Sequence, residues 1–357
     1  MNNIFHNCFL LFVLLGHLFS CQKSSSIQSA KAIVDTTFLK GVDVSFLPEI
    51  ENSNFQYYTT NGDAMPMLLM LKNANVKLIR LRLWVHPADS FAALSNMKSL
   101  HEQAKSLGFK TLLSLHYSDT WADPSAQTIP AFWSDKNIDL LKKQLYAYTA
   151  QIAQDFKSDY IQIGNEINNG FLWPLGKWNN TDQFKSLIDT AIVAVRQSSP
   201  QTKIVLHYAG YSNANWFFNL FNKTDYDVIG LSYYPIWHGK DLDSLANQIQ
   251  SLTNTFQKQL IVCETAYPFT LGWNDQTNNV IGLNSQLIPA FSATPEGQKA
   301  YMETLSNKLK QNAKVIGICY WGAEWVSFKG PQSTNGSSWE NQAWFDFTGK
   351  ALPVMTY

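Results

Sequence analysis

Eight short runs rich in β-branched and apolar residues recur along the chain from Leu39 onward, and what lies between them has helical spacing. The runs are Leu39–Phe46, Val76–Val85, Lys110–His116, Tyr160–Asn165, Lys203–Tyr208, Val228–Tyr233, Leu260–Glu264 and Val315–Trp321. They are continuously apolar rather than alternating, as expected of parallel strands covered on both faces. Between them, Ala64–Ala74 carries Met65, Leu68, Leu69 and Leu71 at helical spacing, and Leu94–Leu107 stops at Gly108, a natural C-cap. Ile138–Phe156 is a long amphipathic stretch. Thr181–Ser199 opens on Thr181 and Asp182 and stops before Pro200; Leu242–Phe256 and Glu296–Asn312 follow the same pattern. Ala214–Phe221 is a weaker, shorter helix candidate. Eight such strands with intervening helices predict an α/β chain folded as a (β/α)8 TIM barrel, one domain spanning 38–357. A doubly wound open sheet would normally carry a glycine-rich phosphate turn after an early strand, and neither GxGxxG nor GxxxxGK occurs.

The segment ahead of the barrel reads as a targeting signal. Phe9 to Phe19 is a mostly apolar run of export-signal length, short of the ~20 residues a spanning helix needs. Leu18-Phe19-Ser20-Cys21 follows, then the polar Gln22-Lys23-Ser24-Ser25-Ser26. This resembles a bacterial lipobox, in which the Cys is lipidated and becomes the new N-terminus. The expected organisation is a signal peptide over 1–20, a lipid anchor on Cys21 and a polar tether over 21–37. That makes the protein an exported cell-surface or outer-membrane lipoprotein, touching the membrane only through its lipid. The alternative is simple secretion after cleavage near Ser20. Beyond Cys8 and Cys21 only Cys263 and Cys319 remain, each in an apolar run. Strand parity puts Cys263 outward, next to an inward Glu264, and Cys319 inward, so a disulfide is not expected. No cysteine or histidine spacing suggests zinc.

In a barrel of this kind the site lies at the C-terminal ends of the strands, so polar residues there need explaining. The second strand ends Arg80-Leu81-Arg82-Leu83-Trp84, and the fourth ends Gly164-Asn165-Glu166. The seventh ends Cys263-Glu264. Charges inside an apolar barrel are costly unless hydrogen-bonded or used. Two Glu ending separate strands suggest glycoside hydrolysis, one acid protonating the departing oxygen and one carboxylate attacking or activating water. Composition agrees. Aromatic residues make up 14% and charged residues only 15%, which suits a surface for neutral, flat-faced sugars. Lys plus Arg and Asp plus Glu both number 27, which argues against nucleic acid as a partner. A metal site from His116, Asp119 and the two Glu is the weaker reading, because only one His sits at a strand end.

These segments resemble a known family. Glu166 and Glu264, ending the fourth and seventh strands, match the clan of retaining glycosidases that place both catalytic Glu there. More specifically, the chain is similar to glycoside hydrolase family 53, the arabinogalactan endo-β-1,4-galactanases. The resemblance rests on Gly41-Val42-Asp43-Val44-Ser45, Arg80-Leu81-Arg82-Leu83-Trp84-Val85 and Gly164-Asn165-Glu166-Ile167. It rests further on Ser232-Tyr233-Tyr234-Pro235, Glu264-Thr265-Ala266-Tyr267-Pro268, Trp344-Phe345-Asp346 and, above all, the stretch from His116 to Pro124. It implies a retaining mechanism on β-1,4-galactan with no required cofactor. It also implies Glu166 as acid/base, Glu264 as nucleophile, Asn165 bonding the sugar 2-hydroxyl, Arg82 orienting Glu264, and His116 and Asp119 lining the subsites. Tyr233 or Tyr234 would donate to Glu264; parity does not choose, and Tyr233 is taken here. Trp321 would be a sugar platform, while Trp325 and Trp339 are either platforms or core.

Two departures matter. Where the family has Trp-Glu-Pro-Ala-Trp after the eighth strand, this chain has Trp321-Gly322-Ala323-Glu324-Trp325, which alters the loop beside the cleft. Some members bind calcium in the loop after the seventh strand; here Thr270 to Asn279 offers one carboxylate, so calcium is not predicted. A monomer is expected. Two other readings stay open: a barrel hydrolase for another β-linked glycan, and a non-catalytic glycan-binding lipoprotein.

Overall fold

The computed structural model describes residues 38–88 and 92–357. The leader, Cys21 and the tether lie outside the described residues. All eight apolar runs are strands: β1 (Leu39–Asp43), β2 (Leu78–Leu83), β3 (Lys110–Leu115), β4 (Tyr160–Ile163), β5 (Lys203–Ala209), β6 (Val228–Ser232), β7 (Gln259–Glu264) and β8 (Val315–Tyr320). Each pairs in parallel with its neighbours in sequence, and β1 pairs with β8, so the sheet closes into a barrel. Several strands end earlier than the apolar runs because polar side chains turn the backbone there. After β1, Asp43 Oδ1 accepts from both the amide and the hydroxyl of Ser45, an Asx turn that stops the strand.

The helices are α1 (Leu47–Asn52), α2 (Met67–Asn73), α3 (Leu94–Ser106), α4 (Ile138–Phe156), α5 (Thr181–Ser198), α6 (Ala214–Leu220), α7 (Pro235–His238), α8 (Leu242–Phe256) and α9 (Pro295–Lys310). α2 begins later than its apolar spacing predicts, because Pro66 holds an extended backbone just before it. Side-chain caps fix three starts: Asn137 accepts from two amides of α4, Asp241 from one of α8, and Thr294 from one of α9. α5 is instead preceded by Asn180, which makes no such bond. The short α1 and α7, which the sequence reading missed, each carry Pro in the first turn.

Two apolar layers result. A large cluster fills the space between strands and helices. A smaller one takes Leu39, Leu78, Leu112, Tyr160, Val205, Val228, Ile261, Cys263 and Cys319, at least one from every strand, and plugs the barrel interior. Cys263 therefore points inward, contrary to the parity argument. The pairing of β6 with β7 explains why: Leu231 faces Val262, but Ser232 faces Glu264, so β7 carries an extra residue at that point. The bulge lets Cys263 fill the interior while Glu264, its neighbour, still turns toward the mouth. Gly230 makes room, since a Cβ there would lie 2.8 Å from Cys263 Sγ. Cys263 and Cys319 are both free and buried.

Candidate active site

Glu166 sits on the turn that leaves β4. Gly164 has φ +73°, and a Cβ there would lie 2.5 Å from Ile167 Cγ2, so the turn requires glycine. Glu166 itself is left-handed (φ 47°, ψ 52°), a conformation that costs a non-glycine residue roughly 1–2 kcal/mol. Such strain is typical of functional positions, and here it projects the side chain into the mouth of the barrel. His207 on β5 supports the turn. His207 Nδ1 lies 3.3 Å from the Glu166 amide and 3.2 Å from Asn165 Oδ1, and its Nε2 lies 3.0 Å from Ser232 Oγ. Burial and the charge of Arg80 hold His207 well below its ordinary pKa, so the ring stays neutral. The Ser232 hydroxyl in turn donates to the Glu166 carboxylate. Even so, burial and the negative charge of Glu264 push Glu166 up to about 8.

Glu264 is held by Arg80 rather than by Arg82. Arg80 Nη2 lies 2.7 Å from Glu264 Oε1, while Nη1 bonds Asp43 Oδ2 at 2.8 Å. The same Nη2 reaches Asn165 Oδ1 (3.0 Å) and Ser114 Oγ (3.2 Å), so one buried guanidinium ties β1, β2, β3, β4 and β7 together. Arg80 and Arg82 share the inward face, as residues two apart on a strand must, and parity therefore could not separate them. Arg80 lies one pleat deeper, level with Asp43 in the β1–β2 register. The second ligand of Glu264 is the Tyr234 hydroxyl, 3.0 Å from Oε2. Tyr233, the residue taken from the sequence, instead donates its hydroxyl to the Gly239 carbonyl. Burial raises Glu264 above the ordinary carboxylate range, while Arg80 and Tyr234 draw it back down. Among the described residues Glu166 makes no ion pair with a cation, and Arg80 lowers it only weakly, so the first proton leaves the pair from Glu264.

Arg82 occupies an aromatic box. Its guanidinium carbon is 4.2 Å from the Trp121 ring centre and 4.6 Å from that of Phe46, with Trp84 and Trp321 at 5.5 Å. Burial lowers it to about 10, so it remains charged at neutral pH. It fixes the aromatic wall by cation–π contact.

That wall bounds a cavity of about 580 Å³ into which Glu166 and Glu264 open, with Asn165 and Trp321 in its lining as expected. Trp325 and Trp339 also line it, and they belong to the apolar core as well: Trp325 is a buried member and Trp339 packs against it. Trp121 and Trp237, which the site reading lacked, line the cavity too; Trp121 stood inside the stretch from His116 to Pro124, and Trp237 closes the turn after β6. His116 and Asp119 do not line the cavity. His116 Nδ1 accepts from Trp84 Nε1 and the Ala122 amide, and Asp119 accepts from the amides of His86 and Ala131. They brace the loops behind the wall.

The departures noted in the sequence resolve locally. Glu324 is fully buried, accepts from the Phe46 amide at 2.9 Å and is pushed up to about 8, chiefly by burial. In the loop after β7, the one carboxylate, Asp275, already accepts from the Thr277 amide and the Ser327 hydroxyl. Among the described residues no group of three or more His, Cys, Asp or Glu could hold a metal ion.

A protonated and an ionisable carboxyl opening into one tryptophan-lined cleft can split an acetal bond by acid and nucleophile. Comparison with known proteins agrees. The model of glycosyl hydrolase family 53 matches residues 39–357. An arabinogalactan endo-β-1,4-galactanase of Cellvibrio japonicus is 36% identical, covering 93% of each chain. An endo-β-1,4-galactanase of Bacillus subtilis is 31% identical over 89% of this chain and 84% of its own. The solved family 53 catalytic domain of Ignisphaera aggregans superposes with a TM-score of 0.85 at 36% identity, covering 91% of this chain and 96% of that one. A match that runs from the first strand of the barrel to the last residue leaves no part of the fold outside it, and the chain belongs to glycosyl hydrolase family 53.

Proposed function

We propose that this enzyme hydrolyses β-1,4-galactan internally, with retention, using Glu264 as nucleophile and Glu166 as acid/base. The observation that carries the roles is the Arg80–Glu264 pair at 2.7 Å, opposite a Glu166 that keeps its proton to about pH 8. In the first step Glu264 attacks the anomeric carbon while Glu166 gives its proton to the departing oxygen. Burial still holds Glu166 high, but forming the ester removes the charge of Glu264, the second cause, so Glu166 drops and its carboxylate can serve as base. In the second step Glu166 takes a proton from water, the water oxygen bonds the anomeric carbon, and Glu264 departs. Asn165 gives one amide hydrogen to the Ala122 carbonyl and keeps the other for the sugar 2-hydroxyl. Trp321 and its neighbours offer faces for the sugar C–H surfaces.

The substrate rests on the galactanase relatives. Incubation with β-1,4-galactan, mannan, xylan and β-glucan, read by reducing-end release, should show release from galactan. Release from another glycan alone would replace the substrate, and release from none would leave a glycan binder. We also propose export and lipid anchoring at Cys21, supported by the apolar run that ends just before it and the polar residues after it.

A further inference from the structure

The concave surface continues past the catalytic cavity. Beyond Pro124, which lines both, lies a second depression of about 490 Å³ walled by Asn168, Asn169, Tyr208, Asn213, Trp178 and Trp216. Trp178 comes from the loop between β4 and α5, and Trp216 from α6. Their rings meet edge to face with centroids 6.0 Å apart. They are 47% and 51% exposed. An isolated exposed indole is ordinary, but two in edge-to-face contact on the wall of one hollow form an exposed aromatic corner.

The frame of the hollow is fixed. The Asn168 side chain pairs with both the amide and the carbonyl of Ala209. Asn169 bonds the Pro124 carbonyl with its side chain, and its own carbonyl accepts from the Trp178 amide and Trp173 Nε1. No lining residue is charged, which suits a neutral ligand. Its position gives it a direction. Asn168 and Asn169 stand two and three residues after Glu166, on the short helix Ile167–Asn169 that it caps, so the hollow extends from the acid/base side of the cleft. The group that Glu166 protonates is the one that leaves, and the chain attached to it departs on that side.

Resting on the galactanase reading above, we propose that Trp178 and Trp216 form a distal leaving-group subsite, which stacks a neutral hexopyranose of the substrate on the reducing-end side of the cleaved bond. The test is the Trp178→Ala/Trp216→Ala double variant on two substrates. One is polymeric β-1,4-galactan, and the other 4-nitrophenyl β-1,4-galactobioside, whose leaving group ends at the first position past the bond. Losing two stacking faces should lower kcat/KM on galactan roughly five- to tenfold and leave the aryl substrate within about twofold. With galactohexaose labelled at its reducing end, the wild type should leave longer labelled fragments than the variant. An equal fall on both substrates, or an unchanged rate and fragment pattern on galacto-saccharides, would overturn the subsite. Wild-type protein that releases nothing from galactan would overturn the galactanase reading and this subsite with it. Active wild type with an indifferent variant would overturn the subsite alone.

Discussion

Arg80 is the residue whose loss the structure prices most sharply. Arg80→Met keeps most of the volume and removes a fully buried cation that lies 2.8 Å from Asp43 and 2.7 Å from Glu264. Breaking one side of a buried ion pair typically costs about 3–5 kcal/mol, because the other charge is left without a partner. Glu264, already raised by burial, then rises further, since Arg80 is the main influence drawing it down. A carboxyl whose folded pKa lies above its unfolded value holds a proton that the unfolded chain has released. The folded state is then favoured at low pH, and stability falls as pH rises toward that raised pKa. Thermal midpoints of the variant should therefore lie on the order of 5–10 °C below wild type at pH 7.5, with a smaller gap at pH 5. Losing about 3 kcal/mol of support for the attacking carboxylate should cut kcat/KM roughly a hundredfold near neutrality and move the acid limb of the pH profile upward. Arg82→Met removes a cation that feels Glu264 only through space, and should move the acid limb less than Arg80→Met does. Wild-type midpoints and an unmoved acid limb in Arg80→Met would refute the reasoning. So would a larger shift of that limb in Arg82→Met.

Further expectations concern the neighbouring groups. Activity should fall on the alkaline side through about pH 8 as Glu166 loses its proton, and Ser232→Ala should move that limb higher by removing a bond that favours the charged form; a limb unmoved by Ser232→Ala would contradict the assigned contact. Tyr234→Phe should lower kcat roughly tenfold, the worth of a hydrogen bond to a charged group, whereas Tyr233→Phe should leave the acid limb unchanged. Cys21→Ala should release the protein from membranes; a variant that still sediments with them and still incorporates labelled fatty acid would rule out the lipid site.

The barrel was legible because a parallel strand buried on both faces has few ways to be written, and every one of the eight apolar runs from Leu39 to Trp321 became a strand. The two carboxylates were legible because Glu166 and Glu264 each end such a run. What period-two reasoning could not see was depth and irregularity. Arg80 and Arg82 share a face, so only the register with Asp43 shows which one reaches Glu264. Cys263 was assigned outward because the bulge opposite Ser232 shifts the count by one. Tyr233 and Tyr234 lie past the end of β6, where alternation no longer governs direction. His207 was overlooked because a lone histidine inside an apolar strand carries no signal of its own. Its role comes from Glu166 and Ser232, which are distant in sequence and adjacent only in the closed barrel.

The roles of the two carboxylates are tested most directly by the anomeric configuration of the azide products from two variants. With Glu264→Ala, the attacking group is gone, and azide can enter from the vacated face to give the inverted α-glycosyl azide. With Glu166→Ala and a substrate bearing a good leaving group, the intermediate on Glu264 still forms, and azide should trap it as the β-glycosyl azide, with retention. Proton NMR of the isolated products separates the two outcomes. An α-azide from Glu264→Ala and a β-azide from Glu166→Ala are the predicted results; the reverse pair would contradict the assignment and exchange the two roles.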